Sequence, residues 1–142
     1  MRLAAIALAV VAFLAVSALV ARWLTTDNAE RDQVTRLLSA QLRGDPRAML
    51  GELEGCDAAC VAQVRADARR LRRPGPLQIV SYESATAHVL RSASGPTRVV
   101  WKTPRTLTVV QCVGVRRSGS VLRGLTVHLL TLSPSISRSA GC

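Results

Sequence analysis

Four cysteines, two histidines and nine carboxylates are the groups with which this 142-residue chain could do chemistry. Cys56 and Cys60 stand in a C-x3-C spacing, which either contributes to a metal site or closes a short disulfide. Zinc requires four ligands, and no second convincing pair accompanies these two, so the disulfide is favoured. Asp57 would start a helix that brings both sulfurs together. Cys112 is then left with Cys142, a bond that would tie the Ser-rich tail back to the rest of the chain, although four cysteines allow three pairings. No C-x-x-C redox spacing occurs, which argues against an oxidoreductase.

Proton transfer fares no better. All nine acids lie between Asp27 and Glu83, and residues 84–142 contain none. A general acid/base pair in the second half would have to come from Glu83, His88 and His128, and no orienting partner for either imidazole is evident. No nucleophile elbow, phosphate loop or zinc-protease helix motif appears. The expectation is a non-enzymatic protein with no catalytic, cofactor-binding or metal-binding residues.

Charge is the other chemical resource. Nineteen Lys and Arg against nine Asp and Glu give +10, and residues 84–142 carry +8 of it. Tyr82 and Trp101 are the only aromatics beyond Trp23, too few for a base-stacking platform, so nucleic acid is not the expected partner. Anionic headgroups or acidic envelope polymers fit better. Arg65, Arg69, Arg72 and Arg73 along one helix flank form a candidate anion-binding face, against the plainer reading of a solvated flank whose aliphatic stems cover apolar surface.

The elements that must position these groups begin with residues 3–21, which carry no charge between Arg2 and Arg22. A helix rising about 1.5 Å per residue needs about 20 residues to cross the hydrocarbon of a bilayer, so this run is a transmembrane anchor (residues 1–23). Cleavage as a secretory signal is the alternative, and the run exceeds the usual apolar core of such a signal. The flanking charges place the N-terminus in the cytoplasm and the remainder outside, where an even cysteine set oxidises. Residues 24–28 read as a linker. A first domain helix is expected from Ala29 to Arg43, opened by an Asp27/Glu30 capping box and supported by Asp27/Arg31 and Asp32/Arg36 pairs. Gly44 ends it, Asp45 and Pro46 open a short second helix, and Asp57 caps a third running to Arg73 with Val61, Val64, Ala68 and Leu71 inward.

Beyond Pro76 the period alternates, giving strand candidates at Leu77–Glu83, Thr86–Arg91, Arg98–Lys102, Leu107–Arg117 and Val121–Leu132. The last two share odd-numbered apolar faces, which predicts an odd-length turn at Ser118–Ser120, Val113 opposite Leu125 and Val109 opposite Leu129, with His128 facing away from the core. The expected fold is α+β: a transmembrane helix, then about three helices packed on a curved antiparallel sheet of four to five strands over residues 29–132, with a tail over 133–142.

The segment LLSAQLRGDPRAMLGELEG, Leu37 to Gly55, resembles the helix, Gly-Asp, helix opening of the nuclear-transport-factor-like superfamily, the cystatin-like α+β cone, and the order of elements is similar over roughly Ala29 to Leu132. The resemblance implies a membrane-anchored domain of actinobacterial type. Enzymes of that superfamily carry carboxylates or His within the cone, and this sequence departs from them. Three functions are therefore expected in order: an extracytoplasmic accessory protein that binds another envelope component; a small-molecule-binding or enzymatic cone with an apolar pocket near Trp101 and Tyr82; and an electrostatic binder of anionic lipid or polymer through the basic sheet.

Overall fold

A computed structural model describes residues 2–86, 91–120 and 124–142. Its order is α1 (Arg2–Arg43), α2 (Pro46–Glu52), α3 (Ala58–Arg70), then strands β1 (Gln78–Ser84), β2 (Arg91–Lys102), β3 (Val109–Ser120) and β4 (Gly124–Leu132). The fold is α+β, with an open four-stranded antiparallel sheet in the order β1-β2-β3-β4.

The segment expected as an anchor and the first domain helix are one element. Neither a linker at 24–28 nor a helix start at Ala29 exists, because no Gly or Pro interrupts residues 2–43 and the side chains of the expected capping box are recruited elsewhere. Within it, Thr25 donates its hydroxyl back to the Ala21 carbonyl at 2.8 Å, satisfying the hydroxyl without leaving the helix. The result is a rod of about 63 Å. Its first half turns apolar side chains outward, Phe13 being 71% exposed, and its second half buries Val34, Leu37 and Leu38 completely. The apolar run is long enough to cross a membrane.

At Gly44 the backbone takes φ +71°, the left-handed conformation that ends helices at low steric cost, and the Gly44 and Asp45 amides return to the Gln41 and Ala40 carbonyls. Asp45 then accepts from the amides of Arg47 and Ala48 at 3.1 and 3.0 Å and opens α2 over Pro46, as its sequence requires. Replacing Asp45 with alanine should cost about 1 kcal/mol. It would be read as a lower midpoint of guanidinium unfolding with the slope unchanged.

Asp57 caps α3 through the Cys60 amide, but the helix closes at Arg70 rather than Arg73. Pro74 disfavours helical backbone at Arg73, whose amide instead donates to the Leu42 carbonyl of α1. Val64, Ala68 and Leu71 are buried as expected, whereas Val61 is half-buried.

In the sheet, Val99, Trp101, Gln111, Val113, Val115 and Arg117 share the covered face with the helices. The last hairpin turns later than expected and keeps the odd-to-odd pairing only from Val115 to Gly119, so Val113 and Val109 do not face Leu125 and Leu129. Gly119 faces Leu125, Val115 faces Leu129 and Val113 faces Leu132 across a register shift at Gly114/Val115, and three residues separate the pair Ser120 and Gly124. The strand extends this far because Arg117 has a partner in the interior and stays in the sheet. The strand expected at Thr86–Arg91 falls largely outside the described residues; Thr86 lies in a turn and Arg91 begins β2.

The tail first continues β4 alongside β3 and then, from Arg138 to Cys142, meets the Arg98 and Cys112 side chains of the opposite face. Ile136 bridges Val110, the Ser133 amide donates to the Cys112 carbonyl at 2.8 Å, and the Cys112 amide donates to the Ser133 hydroxyl at 2.8 Å. Cys142 is bonded to Cys112, with Cα atoms 5.8 Å apart, and Cys56 to Cys60, 5.3 Å apart. Val110 is 1% exposed beneath this cover.

Candidate functional site

Where α1 leaves its apolar half, a set of charges is enclosed between helix and sheet. Glu30 and Arg117 are each 0% exposed. Arg117 donates through Nε and Nη2 to Glu30 Oε2 at 2.8 and 2.6 Å, and through Nη2 to Asp27 at 3.2 Å. The Tyr82 and Thr97 hydroxyls donate to Glu30 Oε1 at 2.7 and 2.8 Å, and the Thr86 hydroxyl to Oε2 at 3.1 Å. Burial alone would raise the Glu30 pKa, but the hydrogen bonds from Tyr82, Arg117 and Thr97 outweigh it and hold the carboxyl below its ordinary range. Burial, with the adjacent Glu30 charge, pushes the Tyr82 phenol up. Arg31 stacks over the Tyr82 ring at 4.8 Å and pairs with Asp27 one turn back at 3.7 Å.

The cluster is a strut rather than a reaction centre, since every oxygen of Glu30 is occupied by groups of the protein itself. Sequence reasoning missed it. Asp27 and Glu30 carry a capping-box spacing, and nothing in the sequence around Arg117 distinguishes it from the other seven cations of residues 84–142.

His128 has the orienting partner that the sequence did not reveal. Its Nδ1 lies 2.6 Å from Glu54 Oε1 and its Nε2 3.1 Å from the Thr126 hydroxyl, while Arg116 donates to Glu54 at 3.3 Å. Carboxylate, imidazole and hydroxyl stand in the order of a nucleophile relay. The hydroxyl, however, also bonds Ser118 on the neighbouring strand, and the hollow beside the ring is an open one of about 170 Å³. Glu54 follows Leu53, which bridges Leu129, and its amide donates to the Leu129 carbonyl at 2.7 Å. The group therefore covers the outer edge of β4, where uncovered backbone would invite another strand. His88 lies outside the described residues.

The apolar pocket expected near Trp101 and Tyr82 is filled space. Trp101 is 0% exposed and donates from its indole to Gln111 Oε1 at 2.8 Å, and Gln41 donates to the same oxygen at 3.2 Å. Among the described residues no three His, Cys, Asp or Glu side chains converge on a metal-sized site.

The four arginines of the expected anion-binding face separate. Arg65 and Arg69 remain on the solvent side of α3. Arg72 and Arg73, past the helix end, line an open cleft of about 800 Å³ together with Leu42 and Arg43 of α1 and the Pro74–Leu77 segment. Arg73 is partly engaged there, stacking over Trp101 at 5.6 Å and donating to the Thr106 hydroxyl and the Leu107 carbonyl at 3.2 and 2.9 Å.

Of the eight cations in residues 84–142, three are paired, among the described residues, with acids that precede them in the chain. Arg98 pairs with Glu83, Arg116 with Glu54, and Arg117 with Glu30 and Asp27. The chain matches no protein-family model, no curated protein and no solved structure.

Proposed function

We propose that this chain is a single-pass, membrane-anchored, extracytoplasmic protein whose nuclear-transport-factor-like domain binds another component of the cell envelope and does not catalyse a reaction. The observation that carries the reading is the continuity of α1: one helix exposes an unbroken apolar surface over residues 4–21 and then becomes the core helix of the domain. An uncovered surface of that size is costly in water and matches the apolar length of a bilayer. Two disulfides suit an oxidising compartment. The packing around Trp101 and the full occupancy of Glu30 support binding by an outer surface over turnover in an interior.

The test is intact mass of the natively expressed protein extracted from the membrane fraction, before and after reduction. The expected result is the uncleaved chain, gaining on reduction the hydrogens of two disulfides. Recovery from the soluble cell interior with all four thiols reduced would overturn the reading.

A further inference from the structure

Most of the ion-paired carboxylates lie away from one cation-rich end of this domain. Asp27 and Glu30 are held near the anchor by Arg31 and Arg117, while Glu52, Glu54 and Glu83 are taken by Arg36, Arg116 and Arg98. At the opposite pole lie Arg43 at the end of α1, Arg47 in the first turn of α2, Arg72 after α3, and Lys102 and Arg105 at the β2–β3 connection. Among the described residues none of these five has a carboxylate within ion-pair distance. Two acids close to these cations in the chain are engaged by the protein itself: Asp45 caps α2, and Asp67 of α3, 2% exposed, accepts from Gln63. The connections bring these elements together, because a Cβ on Gly75 would lie 3.2 Å from Pro104, next to Arg105, and Gln78 pairs with Lys102.

We propose that this pole, centred on the cleft between Arg43, Arg72 and the Pro74–Leu77 segment, binds an extended phosphate-bearing polyanion of the envelope. The proposal rests on the reading of α1 as an anchor, which also fixes the source of the anion. From Arg22 to Arg43 the helix rises about 32 Å, and still about 24 Å if tilted by about 40°. Charges at physiological ionic strength are screened over about 8 Å, so the headgroups of the anchoring bilayer are out of reach. Arg43 and Arg72 line the open cleft, and Arg47, Lys102 and Arg105 stand on adjoining elements rather than converging with them on one point, which suits repeated charges along a polymer better than a single small anion. Four of the five are arginines, whose planar fork holds phosphate oxygens in pairs.

The experiment uses the full chain in phosphatidylcholine nanodiscs and fluorescently labelled long-chain polyphosphate as the probe, followed by anisotropy. Binding is expected to weaken steeply with salt. The triple variant Arg43→Gln/Arg72→Gln/Arg105→Gln is expected to bind at least about tenfold more weakly than a charge-matched control, Arg36→Gln/Arg116→Gln/Arg138→Gln. If the first triple variant loses its near-ultraviolet circular dichroism, Arg47→Gln/Arg105→Gln replaces it, with an expected loss of about threefold or more. Exchanging the nanodisc lipid for phosphatidylglycerol should leave polyphosphate affinity within about twofold. Equal losses in the two triple variants, a flat salt response, competition by the anionic nanodisc lipid, or preference for a polyglutamate peptide over polyphosphate would each overturn the proposal. This assay reports the surface irrespective of where the cell puts the chain, so its failure is distinct from a failure of the mass and fractionation test.

Discussion

Replacing Glu30 with alanine is expected to destabilise the domain by about 3–5 kcal/mol, because the guanidinium of Arg117 would remain buried with its main counter-charge gone. The measurement is guanidinium unfolding of the full chain in micelles, followed by the near-ultraviolet circular dichroism of the buried Trp101. The double variant Glu30→Leu/Arg117→Leu should recover about half of the loss, since removing both charges also removes their desolvation cost while leaving the Tyr82, Thr86 and Thr97 hydroxyls to find other partners. A double variant as unstable as Glu30→Ala would show that specific geometry, and not an orphaned charge, dominates. The pH dependence follows with a definite sign. Glu30 is held below its unfolded value of about 4.5, so its contribution is fully present above that pH and disappears as the pH falls through the folded value. Wild-type stability should therefore drop below about pH 4.5, and Glu30→Gln should flatten that limb. Asp67 has the opposite sign. Burial raises its pKa above the ordinary value, so its contribution improves as the pH falls through the folded value, and it cannot be the origin of an acid-side loss.

The second large effect is expected at the tail. Cys112→Ser/Cys142→Ser opens a crosslink of sequence separation 30, which on the chain-entropy account is worth about 3–4 kcal/mol, whereas Cys56→Ser/Cys60→Ser opens one of separation 4, worth about 2 kcal/mol. The tail has other holds, including the Ile136 bridge to Val110 and donation from Arg98 to the Arg138 carbonyl at 2.6 Å. The loss should therefore appear in global stability before the tail detaches. Paired unfolding curves of the two double variants check this, and equal midpoints would contradict the ordering.

Much of the fold was legible because its determinants are local. Gly44, Asp45 and Pro46 specify a helix end and a helix start within three residues, and Asp57 does the same for α3. Alternation after Pro76 identified the sheet, and its parity correctly turned Val127 and Leu129 inward and His128 outward. Misreadings arose where a distant partner overrode a local signal. Asp27 and Glu30 carry the spacing of a capping box, yet their oxygens bond Arg117, 87 to 90 residues away, so the helix runs through them. The last hairpin was placed too early because Ser118–Ser120 has turn composition, while the interior partner of Arg117 keeps the strand going. The pairing of Cys56 with Cys60 was legible from spacing and a cap. The split of Arg65 and Arg69 from Arg72 and Arg73 was not, since it depends on the Leu42 carbonyl capturing the Arg73 amide.

An uninterrupted α1 also sets the stance of the whole molecule. No Gly or Pro joint separates its apolar half from the domain, so residue count dictates height and heading: each residue inserted near Thr25 would move the far pole by about 1.5 Å along the helix axis and swing it through about 100°, whereas seven, close to two full turns, would move it by about 10 Å and return it to nearly the same bearing. On the proposed reading of α1 as an anchor, the helix would act as a mast of fixed length, holding the far pole at one distance and in one direction from the membrane.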